Sequence, residues 1–213
     1  MKNGIIFLVV FALVVIIGYF CVRVVKNIQS QKIIDELYAR PARGRGFILR
    51  VLRAAFGKKV IVGATVNVRG NPPATADAVM VTRSGIAVIS IVTSVGRLDN
   101  PQRGPWLFYD EHGGCTEVDN PYEKNGYMTE VLKNVLRRDG FVNIAFHSYV
   151  IVSNCRAVMP KYAYKTLLTE NNMLSELNTM MAFKQLSYTE MRDVRMTVDR
   201  VTAASKAVKS KTA

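Results

Sequence analysis

Asp77 is the acid best placed for chemistry in this 213-residue chain. It enters the run Ala76 to Thr82, which Arg83-Ser84-Gly85 separates from a second run, Ile86 to Val92. Both runs are apolar and rich in β-branched residues, so they predict two strands around a tight turn. Gly85 supplies the positive φ that such a turn commonly needs. The second run is apolar almost throughout, as expected of a central strand covered on both faces. One carboxylate holds a hydrated Mg²⁺ only weakly, because the ion asks for several oxygen ligands in a strict geometry. Metal chemistry at Asp77 would need further acids. Asp99 and Asp110, in loops after the second strand, and Glu123 and Glu130, on a later helix, are the candidates.

Other chemistries have less support. The two histidines, His112 and His147, have no nearby Ser or Cys in a motif context, which argues against a catalytic triad. Cys21, Cys115 and Cys155 form no Cys-x-x-Cys or Cys/His cluster, which argues against zinc. Only Cys115 and Cys155 could pair, and free thiols are expected of a reducing compartment. Gly113-Gly114 lacks the lysine and flanking pattern of a phosphate loop. The net charge of +13 favours an anionic partner, nucleic acid or a membrane face. Arg40, Arg43, Arg45, Arg50, Arg53, Lys58 and Lys59 follow one another with no acid between them. They read either as a site for anionic lipid or nucleic acid, or as the wet face of a helix whose Phe47, Ile48, Val51, Leu52, Ala55 and Phe56 face a core.

Several elements must position these residues. Ile5 to Val22 carries no charge, and eighteen helical residues span about 27 Å, close to the bilayer core. A cleaved signal peptide is the competing reading; the length of the run and Arg23 after it favour a retained helix. Basic residues crowd the carboxy-terminal flank, so the positive-inside rule places the N-terminus outside and the following domain in the cytoplasm. Val24 to Tyr38 continues the helix, and Ala39 to Gly46 forms a linker. Lys59 to Val68 predicts a strand, Gly70 to Pro73 a loop, and Trp106 to Tyr109 and Cys115 to Val118 a strand pair. Asn120-Pro121 starts a helix with Tyr127, Val131, Leu132, Val135 and Leu136 on its apolar face, ending at Asp139-Gly140. Phe141 to Val152 is a strand region. Leu167 to Met180 reads as one or two helices, and Ser187 with Glu190 forms a capping box for a last helix. Ala203 to Ala213 reads as a frayed basic tail.

Two of these stretches carry a resemblance. An acid entering one strand, a Ser-Gly turn and a strand ending in a three-residue motif is similar to the nuclease-related domain (NERD) family, itself similar to PD-(D/E)xK nucleases. The family's first strand carries Ile-Asp, matched by Asp77, and its second ends in Glu-x-Lys, where this chain has Ser90-Ile91-Val92. Its opening Gly-Glu corresponds to Gly46-Phe47, and its Ser-Gly-Arg-Ile segment to Gly96-Arg97-Leu98. Asn120-Pro121-Tyr122-Glu123-Lys124-Asn125 resembles its Asn-Pro-x-x-Gln-Asn helix start, with Lys124 in place of the glutamine. Leu186 to Glu190 resembles the start of its closing helix. The resemblance covers Arg45 to Val201.

The resemblance implies an α+β (α/β-like) protein. An N-terminal transmembrane helix (1–26) and a juxtamembrane helix with basic linker (27–44) precede a restriction-endonuclease-like domain (45–201), its central mixed sheet flanked by helices, and a basic tail (202–213). It also implies that the family's metal-binding and lysine positions are here Phe47, Ser90 and Val92, leaving Asp77 as a vestige. Asp77 then reads as a strand-entry acid bonded to backbone or paired with Arg83 or Arg97. The expected function is a single-pass, membrane-anchored NERD domain without nuclease activity or bound metal, serving as a binding or scaffolding domain for a protein partner, anionic lipid or nucleic acid. The alternatives are a Mg²⁺-dependent nuclease with a relocated site, and an anionic lipid or nucleic-acid binding module.

Overall fold

A strand formed by Gly85–Val92 is buried at every position and lies at the centre of the domain. The computed structural model describes residues 2–38, 44–93, 96–99, 104–110, 112–153 and 166–211. The predicted linker residues 39–43, and Cys155, lie outside them. The chain divides into two compact units, Met1–Pro41 and Ala42–Ala213.

The first unit is one helix, α1 (Lys2–Tyr38), joining the two helical segments expected from sequence. It is long and apolar enough to cross a membrane. Phe11, Leu13 to Ile17, Tyr19, Phe20 and Val22 are all more than half exposed.

In the second unit α2 (Arg45–Phe56) and a 3-10 turn (Gly57–Lys59) lead into β1 (Val60–Val68), β2 (Asn71–Thr82) and β3 (Gly85–Val92). β1 and β2, and β2 and β3, pair antiparallel. Then come a small sheet of β4 (Arg97–Asp99), β5 (Trp106–Tyr109) and β6 (Cys115–Val118), the helix α3 (Pro121–Arg138), β7 (Phe146–Val152), β8 (Leu167–Thr169), α4 (Met173–Ala182) and α5 (Tyr188–Lys211). β7 runs parallel to β3, and β8 parallel to β7, giving a mixed five-stranded sheet ordered β1-β2-β3-β7-β8. The α+β class, with a central mixed sheet flanked by helices, is the one expected.

Alternation decides what each face of the sheet meets. Ile86 and Val88 of β3 join Val79 and Val81 of β2, Met128, Leu132 and Leu136 of α3, and Val194 and Val198 of α5 in one apolar cluster. Ala87, Ile89 and Ile91 point the other way and are buried too. α2, which touches β1 and β3, buries Phe47, Ile48, Val51, Leu52 and Phe56 outside that cluster and so covers this second face. At the carboxyl ends of the parallel strands, Val92, Val150, Val152 and Leu167 pack on Leu98, Trp106 and Phe108 of the small sheet.

The turn before β3 explains its glycine. Gly85 has φ 118°, and a Cβ there would stand 2.2 Å from the carbonyl oxygen of Ala145. Ile86 N–H donates to that same oxygen at 2.9 Å, so β7 must approach this closely.

Several predicted boundaries shift. Pro72 and Pro73 lie inside β2 rather than in a loop. β3 accompanies β2 only from Ala78 to Thr82, and the β1 register breaks between Val66 and Val68, so the missing N–H groups fall where the ladder is incomplete. Leu167-Leu168 is an edge strand rather than the start of a helix. Its three residues are too few to show a period. The buried stripe of α3 runs through Asn125, Met128, Leu132 and Leu136, while Tyr127 is exposed and its hydroxyl donates to the Pro72 carbonyl at 2.7 Å. α5 continues to Lys211, through most of the predicted tail, because alanine and lysine are strong helix formers. The capping box forms as expected: Glu190 N–H donates to Ser187 Oγ at 3.2 Å, and Ser187 N–H to Glu190 Oε2 at 2.8 Å.

Candidate functional site

The candidate site lies where β2 and β3 part. Their ladder ends at Ala78–Ile89, while β2 goes on with β1 and β3 with β7. Beyond that rung the β2-facing N–H of β3, at Ile91, has no strand partner, and a buried N–H must find an acceptor. Asp77 provides it: Oδ2 accepts the Ile91 N–H at 2.6 Å. The carboxylate caps a ladder that its own strand has left.

The other oxygen meets a charge. Arg45, the first residue of α2, forms an ion pair with Oδ1. Oδ1 has no directed hydrogen bond, so the pair is held by charge rather than by alignment. The Asp77 side chain is 3% exposed and that of Arg45 57%, so the acid is sealed while its partner reaches solvent. The backbone bond was legible as one reading of Asp77, but its arginine is neither Arg83 nor Arg97. Arg83 donates from Nε to the Leu186 carbonyl at 2.9 Å and lies over the Tyr188 ring, and Arg97 lies over the Tyr109 ring.

Ser90 follows one residue after the Ile89 rung, on the face of β3 turned to α3. Its hydroxyl donates to Asn125 Oδ1 at 2.7 Å. The Asn125 amide nitrogen reaches the carbonyls of Val88 and Tyr149 at 3.3 and 2.9 Å and Ser148 Oγ at 3.1 Å. Asn125 is fully buried and ties α3 to both β3 and β7. Sequence reasoning placed it in a helix-start motif but not at the site. Its signal was a polar residue on the apolar face of an amphipathic helix. Asn120 does cap α3 as expected, accepting the Tyr122 N–H at 3.0 Å. Phe47 is buried on the core-facing side of α2, and Val92 lies in the cluster around Trp106.

The remaining candidate acids are occupied elsewhere or exposed. Asp110 Oδ1 accepts from His112 and Gly114 N–H in its own turn, at 2.8 and 2.7 Å. Glu130 pairs with Lys133, Glu123 accepts the Gly104 N–H at 3.3 Å, and Asp99 lies exposed on β4. Glu123, Lys124 and Asn120 line a cleft of about 580 Å³ with Thr75, Gly104, Pro105, Glu117 and Asp119. Among the described residues, no three His, Cys, Asp or Glu side chains converge as a metal would require. Asp77, engaged at both oxygens and outside any such group of three, therefore does not fit Mg²⁺ as it stands.

Of the basic cluster, Arg50, Arg53, Lys58 and Lys59 are exposed, whereas Arg45 is spent on Asp77. Arg40 and Arg43 lie outside the described residues. His112 sits in an exposed turn, and His147, half-buried on β7, contacts the Ser84 carbonyl at 3.3 Å. Cys115 is a free, exposed thiol.

A mixed sheet with an acid at the point where its central strands diverge, backed by a helix that opens Asn-Pro, defines a nuclease-like α+β core. The family model of the nuclease-related domain, NERD, matches residues 40–153, more than half of the chain. The chain belongs to that family. No curated protein and no solved structure matches it.

Proposed function

We propose that this is a membrane-anchored NERD domain that does not cleave nucleic acid and acts as a binding or scaffolding domain at the cytoplasmic membrane face. The observation that carries this reading is the state of Asp77. Its two oxygens hold a backbone N–H and an arginine, both within the protein. A catalytic metal would have to displace Arg45 and would then find no second acid at the Phe47, Ser90 or Val92 positions. α1, exposed and largely apolar from Leu13 to Val25, serves as the single-pass anchor, with its N-terminus outside. The basic residues that follow it in sequence favour that orientation.

A second reading, a nuclease with a relocated metal site, draws on the cleft that Glu117, Asp119 and Glu123 line. The test is cleavage of single- and double-stranded DNA and RNA by the full chain in detergent with Mg²⁺ or Mn²⁺. No turnover is expected. Turnover abolished by Asp77→Asn would overturn the proposal, and turnover abolished by Glu123→Gln but not by Asp77→Asn would establish the second reading.

A further inference from the structure

The surface of α2 does not end with the helix. Arg50 and Arg53 stand on its exposed side, and Lys58 and Lys59 extend it through the 3-10 turn. Lys59 Nζ then approaches Met181 Sδ at 3.8 Å, which brings the end of α4 beside this turn. There Phe183 is 68% exposed, among the most exposed large apolar residues of the domain, and the exposed Lys184 follows it. Arg50 donates only to the Gly46 carbonyl, and no carboxylate pairs with Arg50, Arg53, Lys58, Lys59 or Lys184 among the described residues.

We infer that this surface docks on an anionic phospholipid membrane, with the cations at the headgroups and Phe183 as the apolar insert. This rests on the reading of α1 as a retained anchor. Unpaired cations leading to an exposed aromatic match a surface that is anionic outside and apolar a few ångströms below. A nucleic acid would match the charges but gives Phe183 no apolar layer to enter. The anchor also favours lipid: six residues separate Tyr38 from Arg45, so the bilayer is present at high effective concentration. Arg45 takes no part, because Asp77 holds it.

The test places the full chain in nanodiscs of phosphatidylcholine alone or mixed with phosphatidylglycerol, with Phe183→Trp as the reporter. Trp106 is fully buried and gives a constant background. In the anionic discs the new tryptophan should shift to shorter wavelength and be quenched by doxyl-labelled lipid. Both effects should be lost in high salt and in Arg50→Glu/Arg53→Glu/Lys58→Glu. Equal signals in the two discs, or quenching that survives the charge reversals, would overturn the inference. So would a salt-sensitive response to added duplex DNA with none to anionic lipid. A chain that leaves the discs on an alkaline wash would instead refute the anchor.

Discussion

Replacing Asp77 separates a structural acid from a catalytic one. The structure assigns its carboxylate two tasks: accepting the Ile91 N–H and neutralising Arg45. A hydrogen bond to a charged acceptor contributes about 1.5–3 kcal/mol. The ion pair adds about 0.2–1 kcal/mol, the range for exposed pairs, because the Arg45 side chain is more than half exposed. Asp77→Ala loses both and leaves a buried N–H unmet, so it should cost about 2–4 kcal/mol. Asp77→Asn keeps an oxygen for Ile91 and should cost about 1 kcal/mol, as should Arg45→Ala. At about 2–4 °C per kcal/mol for a domain of this size, Asp77→Ala should lower Tm by about 4–16 °C and the other two by about 2–4 °C. Asp77→Asn combined with Arg45→Ala should cost less than the two single changes added together, because each removes the same pair. Thermal melts of the full chain in detergent, followed by circular dichroism, read all four. Catalytic acids are commonly held at the expense of stability, so their neutral replacements tend to stabilise. A rise in Tm for Asp77→Asn would therefore refute the structural assignment.

Asn125→Ala removes the buried amide that joins α3 to β3 and β7, and should cost about 2–4 kcal/mol in urea unfolding. Asn134→Ala, exposed on the same helix, should stay within about 0.5 kcal/mol of the parent; equal effects at the two positions would contradict the bridging role. The Ser187 side-chain and backbone hydrogen bonds hold the Glu190 carboxyl below its ordinary range. The folded state thus favours the charged form. That contribution is complete above the unfolded glutamate's pKa of about 4.3 and is lost as pH falls through the lowered value. Ser187→Ala should return the Glu190 pKa toward its ordinary value in an NMR titration, and an unmoved pKa would discount the capping box.

The parts of this fold that were legible in sequence are those whose patterns are local. Gly85 between two β-branched runs announced the β2–β3 turn, Asn120-Pro121 the start of α3, and Ser187 with Glu190 the start of α5. Each is a device acting within four residues. The misread parts depend on distant partners. Leu167-Leu168 becomes a strand because the edge of β7 receives it, with Val150 N–H donating to the Thr166 carbonyl at 3.0 Å. Pro72 and Pro73 fit within β2 because β3 pairs with that strand only farther along.

The site divides in the same way. That Asp77 enters a strand that leads into a Ser-Gly turn could be read directly from the chain. That Arg45, thirty-two positions earlier, would be its counter-ion could not, since sequence spacing does not show where the first residue of α2 meets the sheet. Nor could spacing show that Ser90 gives its hydroxyl to Asn125, which sits on a helix thirty-five positions later. The same pairing removes Arg45 from the basic surface, which the sequence alone presents as one unbroken run.

Manganese binding, followed by electron paramagnetic resonance on the full chain and on Asp77→Asn, tests the state of Asp77 most directly. The two proteins should leave the same amount of free Mn²⁺ at every addition, because Arg45 and Ile91 already occupy the carboxylate. A tightly held Mn²⁺ in the parent chain that disappears in Asp77→Asn would show that the acid is a metal ligand after all.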